Sequence, residues 1–111
     1  MICDAGDVAV VPFPFSDLPV AKPRPAVVIS SAATNALEGE TLLAMVTTAA
    51  AGDRPGDTRL MDWADIGLKV SCVVRLKLFT LDNRLIARRI GALSDLDRSA
   101  TRIALARLIA L

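Results

Sequence analysis

The run Val8-Ala9-Val10-Val11, closed by Pro12-Phe13-Pro14-Phe15, constrains this chain more than any other stretch. Three of its four residues are valine, whose branched Cβ favours an extended backbone. Apolar residues without alternation call for a strand covered on both faces. Pro12 and Pro14 have no N–H to donate, so the strand stops there or runs along an edge. A strand covered on both sides needs pairing partners, and the chain supplies them. Ala26-Val27-Val28-Ile29, opened by Pro25, reads as a second strand, and Thr41 to Thr48 as a third. Thr58 to Trp63 is a short fourth candidate. Ser71 to Phe79, with Val74, Leu76 and Leu78 set against Arg75 and Lys77, is a fifth.

The segments between are rich in turn-formers. Ser16 to Pro23 reads as an exposed loop, and Ser31 to Glu40 as a connection with a helical turn. Ala49 to Asp57, with Gly52, Pro55 and Gly56, is a loop. Ala64 to Lys69 is a turn around Gly67, and Asp82 to Arg89 is a short strand or helix before Gly91. Ser94 to Leu111 is the clearest helix. Ser94 or Asp95 can cap it, and Asp95 and Asp97 suit its positive end. Leu96, Ala100, Ile103 and Ala110 mark its expected inner face, broadened by Leu105, Leu108 and Ile109. Five or six strands and one late helix predict a mainly β, α+β fold: a small antiparallel β-barrel with short helices and a C-terminal helix, in one domain over residues 1–111.

Composition narrows the chemistry. The chain is 53% hydrophobic but only 4% aromatic, so its core must be aliphatic, and the apolar excess suggests a surface covered by another subunit. The net charge of +1 neither advertises a nucleic-acid partner nor excludes one. Histidine is absent, which removes His-based acid–base catalysis, Ser or Cys triads and His metal sites. Cys3 and Cys72 have no metal-like spacing and read as reduced structural thiols. With no signal segment and no long apolar run, a cytoplasmic protein off the membrane is expected.

The phrase from Gly6-Asp7 through the valine strand and Pro12-Phe13-Pro14-Phe15-Ser16-Asp17-Leu18, then Lys22-Pro23-Arg24-Pro25-Ala26-Val27-Val28-Ile29-Ser30, resembles the N-terminal signature of the MazF/PemK toxins. Val46-Thr47-Thr48, Gly67-Leu68, Ser71 to Arg75, Thr80-Leu81-Asp82 and Gly91-Ala92-Leu93-Ser94 extend the resemblance, in order, along the chain. It implies a small SH3-like β-barrel of the CcdB/MazF type, forming a homodimer. It implies an endoribonuclease that cuts single-stranded RNA at short preferred sequences and is neutralised by a protein antitoxin, with no cofactor and no metal. On this resemblance the catalytic residues are Arg24 and Thr47. Ser16, Asp17, Thr48 and Arg75 are the residues expected to contact substrate.

The side chains fit that chemistry. RNA is cut without metal when its own 2′-hydroxyl attacks the adjacent phosphorus, leaving a cyclic phosphate and a free 5′-hydroxyl. The planar donor fork of Arg24 suits two phosphate oxygens, and the Thr47 hydroxyl can donate to the phosphate or the leaving oxygen. Taken singly, each residue has an ordinary reading. An arginine between prolines is a solvated charge. A strand-end threonine bonds its own backbone. Arg75 is an outward strand residue, and Asp17 shapes a turn. Phe13 and Phe15 can stack bases or plug the barrel end. One departure stands out: where some members of the family carry an acidic residue assigned to catalysis, this chain reads Arg75-Leu76-Lys77-Leu78-Phe79. Asp62, Asp65 and Asp82 are the carboxylates nearby in sequence. Two other readings therefore remain open: a CcdB-like toxin that binds gyrase, and an inactive homologue that only pairs with an antitoxin.

Overall fold

The computed structural model describes residues 1–13 and 22–111. Within them six strands form one antiparallel sheet: β1 Asp7–Pro12, β2 Pro23–Val28, β3 Glu40–Thr48, β4 Thr58–Arg59, β5 Cys72–Asp82 and β6 Arg88–Ala92, in the order β4-β5-β3-β2-β1-β6. β4 and β6 are the edges, so the expected barrel takes the form of an open, curled half-barrel. Two register shifts produce the curl. Leu76 and Lys77 are extra residues of β5 between the pairs Ala44–Leu78 and Met45–Arg75, and Ile90 is extra between Val8–Gly91 and Ala9–Arg89. Such bulges bend a strand and increase its twist.

The unalternating valine run is now explained. Val11 and Ala9 belong to an apolar cluster on one face, with Phe13, Ala26, Val28 and Leu43, while Val8 packs on the other with Val27, Ala44, Val46, Leu60 and Val74. The strand is indeed covered on both sides. Phe13 and Phe79 meet edge to face, ring centroids 5.7 Å apart, at the end of the first cluster.

Three helices fill the connections: α1 Ala32–Glu38, α2 Trp63–Ile66 and α3 Asp95–Leu108. α1 is a full helix where one helical turn was expected. The Ser31 hydroxyl accepts from Thr34 N, and Gly39 ends it at φ 73°. The fourth strand is shorter than Thr58 to Trp63. The Asp97 carboxylate accepts from the backbone N–H of Met61 and Asp62 at 2.8 and 2.9 Å, and this turns the chain into α2. Gly91 lets β6 pass under α2, since a Cβ there would lie 2.3 Å from the Ile66 carbonyl oxygen.

α3 is rotated away from its expected orientation. Ser94 caps it as anticipated, accepting from Asp97 N. Its inward residues are Asp97 and Thr101, while Leu96, Ile103 and Leu108 are exposed. The tether through Asp97, not the apolar stripe, sets which face turns in. Cys3 and Cys72 are free, buried thiols. No helix among the described residues is long and apolar enough to cross a membrane.

Candidate functional site

The hydrogen-bonded ladder between β2 and β3 runs Val28–Leu43, Val27–Ala44, Ala26–Met45 and stops there. Extending the same register by two residues sets Arg24 opposite Thr47. Residues two apart on a strand share a face, so both lie on the face of Ala26 and Met45. The strands part beyond Ala26–Met45, and a cleft of about 340 Å³ opens between them. Arg24, Thr47 and Thr48 line it, with Lys22, Met45 and Cys72.

The prolines explain why Arg24 is presented as it is. Pro23 and Pro25 fix the backbone on either side and have no N–H, so this end of β2 cannot pair continuously on both edges. On its β1 side Arg24 is registered against Val11. Its side chain is exposed and forms no ion pair among the described residues. Thr47 is half-buried and registered against Val73 of β5; Thr48, its exposed neighbour, starts the 3-10 turn Ala49–Ala51. The Ala49 N–H donates to the Ser71 carbonyl at 2.9 Å and holds that corner down.

Arg75 lies elsewhere. It is buried, its Nε and Nη2 donate to the Asp57 carboxylate at 3.2 and 2.9 Å, and Nη2 also donates to the Gly52 carbonyl at 2.8 Å. Asp57 is equally buried, and the Arg75 guanidinium holds its carboxyl below the usual carboxylate range. Arg75 borders a separate groove of about 790 Å³, between residues 54–59, the β5 bulge and α3. To grip a phosphate it would have to leave Asp57. Its present work is to pin the loop that follows Thr48. Ser16, Asp17, Pro14 and Phe15 lie outside the described residues.

Phe13 lines the cleft but is 7% exposed and packed on Phe79, so it closes the end of the core. Lys22 escaped the sequence reading. The available signal was its spacing: it lies two residues before Arg24 in an extended segment, where alternate side chains share a side. Cys72 also reaches the cleft, and burial pushes its thiol up, which disfavours the nucleophilic thiolate. The described lining holds no carboxylate. Asp62 and Asp65 belong to the α2 corner, and Asp82 is paired with Arg84 at 2.9 Å. The site is thus an electropositive notch with hydroxyls, suited to an anion such as a phosphodiester.

Comparison with known proteins identifies the family and the fold. No curated protein sequence matches the chain. Among solved structures, MazF from Deinococcus radiodurans is 27% identical, with TM-score 0.77, over 100% of this chain and 99% of that one. A MazE–MazF structure from the same organism is 26% identical, with TM-score 0.75 over 100% and 99%. An endoribonuclease in complex with its cognate antitoxin, from a mycobacterial species, shares the fold at 17% identity and TM-score 0.75 over 99% and 95%. The family model for the PemK-like, MazF-like toxins of type II toxin–antitoxin systems matches residues 4–109. A match over nearly the whole chain, on this half-barrel, places the protein in that toxin family.

Proposed function

We propose that the chain is the toxin of a type II toxin–antitoxin pair and acts as an endoribonuclease on single-stranded RNA, with Arg24 and Thr47 as its catalytic residues. The observation that carries this reading is the convergence of Arg24 and Thr47, from different strands, on one cleft that also holds Lys22 and no acid among its described residues. The scissile phosphate sits against the Arg24 fork. The 2′-oxygen attacks phosphorus, and the 5′-oxygen of the next nucleotide leaves. Arg24 donates to the non-bridging oxygens, whose negative charge grows in the phosphorane. Thr47 donates to the phosphate or the leaving oxygen, and Thr48 borders the substrate. The 2′-hydroxyl proton passes to solvent, and the departing 5′-oxygen takes a proton from solvent, relayed by the Thr47 hydroxyl, to leave as a 5′-hydroxyl. The described lining of cations and hydroxyls disfavours a divalent ion, which supports a metal-independent reaction.

Around this centre, Ser16 and Asp17 belong to the segment expected to shape access. The family, and solved neighbours that are toxin–antitoxin structures, support a cognate antitoxin as partner. The exposed Leu96, Ile103 and Leu108 on α3 support a homodimer. The protein works in the cytoplasm, where RNA is.

The test is incubation of the purified protein with a diverse single-stranded RNA pool in EDTA. Expected products carry a 5′-hydroxyl and a 2′,3′-cyclic phosphate, and Arg24→Ala and Thr47→Ala each abolish them. Wild-type rates from both variants would overturn the site assignment. The absence of a carboxylate from the described lining of the cleft also favours a second reading, a toxin that binds without cutting. Intact RNA across the pool, with gyrase inhibited, would establish it.

A further inference from the structure

Lys22 and Arg24 are the two charged residues in the described lining of the cleft, and they alternate with prolines in the phrase Lys22-Pro23-Arg24-Pro25. A residue that precedes proline is kept out of the helical region and held extended, and both cations occupy that position. Side chains two apart in an extended segment share a side. The pairing with β1 agrees. Arg24 is registered against Val11 and Pro23 against Pro12, and one step further the Phe13 N–H donates to the Lys22 carbonyl at 3.3 Å. Val11 and Phe13 belong to one apolar cluster, with Ala26 and, at its margin, Met45. Lys22 and Arg24, level with Phe13 and Val11, therefore stand on that same face, which is also the face of Thr47.

The main chain of Lys22 is anchored while its side chain is open. Phe13, which holds the Lys22 carbonyl, is buried and packed on Phe79 at the end of the core. The Lys22 side chain is exposed and forms no ion pair among the described residues. Two steps of strand put the roots of the two cations about 7 Å apart, close to one step between consecutive phosphates of an extended single strand. The far wall differs at the two positions. Arg24 faces Thr47. The same register carried two residues further would set Lys22 across from Ala49, where β3 has ended and the 3-10 turn begins. The inner position thus has a fork and a hydroxyl, and the outer one an ammonium opposite a methyl group. A guanidinium fixes two phosphate oxygens at once. An ammonium on a flexible stem is a point charge that attracts a phosphate without setting its orientation. The inner position suits a phosphate that reacts, and the outer one a phosphate that is only held.

We propose that Lys22 holds the RNA phosphate next to the scissile one, so that the Lys-Pro-Arg-Pro arm binds two consecutive phosphates of one strand. This rests on the reading of the cleft as an RNA cleavage site. Lys22 is then a substrate-binding residue that sets where the strand lies over Arg24. Its contact is to backbone and carries no sequence information.

The test takes the linkage that the wild type cuts in the RNA pool and places it in a short fluorescent 2′-O-methyl RNA, which lacks the attacking hydroxyl and stays intact. Further probes carry a neutral methylphosphonate at the scissile linkage, at the linkage on its 5′ side, or at the one on its 3′ side. The variants are Lys22→Met, which removes the charge and keeps the bulk, and Lys22→Arg, which keeps a charge. With a methylphosphonate at one of the two flanking linkages, wild type should bind about fivefold more weakly, the upper range for an exposed ion pair. Lys22→Met should bind the unmodified probe more weakly by the same factor, with a slope of log affinity against log salt shallower by about 0.7. The same methylphosphonate should cost Lys22→Met nothing further, while Lys22→Arg should stay sensitive to it. Melting temperatures should match, since the side chain is exposed. Equal sensitivity of wild type and Lys22→Met to a methylphosphonate at each flanking linkage overturns the proposal. So does a difference confined to the scissile linkage, which would put Lys22 on the reacting phosphate. In both cases the cleavage reading stands, because the wild type has cut the pool. A wild type that cuts no RNA in the pool overturns the cleavage reading, and this proposal with it.

Discussion

Arg24 and Arg75 make the instructive comparison. Both are strand residues in blocks that mark the family. Arg75 is buried against an equally buried Asp57, with a backbone carbonyl as third partner. Arg24 is exposed between two prolines, at the point where the β2–β3 ladder ends. A guanidinium with its donors committed inside the fold contributes rigidity. One with its donors open can take a phosphate. The same side chain thus builds the frame in one place and lies open at the cleft in another, and what decides is whether the fold supplies the carboxylate or leaves that place to a ligand.

The sharpest way to break the comparison is to remove Arg75. Arg75→Ala leaves Asp57 buried without its counter-charge, and breaking such a pair costs about 3–5 kcal/mol. Urea unfolding should show that loss, and Arg75→Ala with Asp57→Ala should recover part of it. A variant as stable as wild type would mean that Arg75 is not structural. Arg24→Ala should do the reverse. Its unfolding free energy should stay within about 0.5 kcal/mol of wild type. Its cleavage rate should fall about 100- to 1000-fold, the usual cost of losing one preorganised transition-state donor. Arg24→Lys should restore only part of the rate, because an ammonium keeps the charge but not the fork.

A smaller effect tests whether buried polar tethers in general, and not only Arg75, shape the frame. Asp97 is 1% exposed and accepts from two backbone N–H groups at the start of α2. Asp97→Ala would orphan both, at about 1–3 kcal/mol in unfolding free energy. Cleavage by the folded variant should be unchanged, since Asp97 does not line the cleft.

Much of this frame was legible before the structure. The β-branched runs at Val8–Val11, Ala26–Ile29 and Thr41–Thr48 have one good solution each, and all three became strands. Ser94 was legible as a cap because a hydroxyl before an acidic first turn has a local function. The orientation of α3 was not. Its apolar stripe pointed one way, while a carboxylate reaching back to Met61, 36 residues away, pointed the other. The Arg75–Asp57 pair was hidden for the same reason: its partners are 18 residues apart, and nothing local to either marks it. For the site, Arg24 and Thr47 were nominated by resemblance to the family. What brings them opposite each other is the β2–β3 register, which is a property of the strand pair and not of either residue.

The mildest test uses acid. Arg75 holds the Asp57 carboxyl below its ordinary value, so the folded state binds that proton less readily than the unfolded chain does. Asp57 therefore contributes its full stabilisation above the unfolded carboxylate pKa of about 3.9, and loses it as the pH falls through the lower folded value. Between pH 5 and 8 this pair should impose no slope on unfolding free energy. Below about pH 4 wild type should lose stability more steeply than Arg75→Leu, in which Asp57 no longer has the guanidinium that depresses it. Arg24→Leu should follow wild type throughout the acid range, because Arg24 has no carboxylate partner among the described residues. Parallel acid limbs for wild type and Arg75→Leu would show that the buried pair does not set the charge state of Asp57. The contrast between the two arginines would then rest on burial alone.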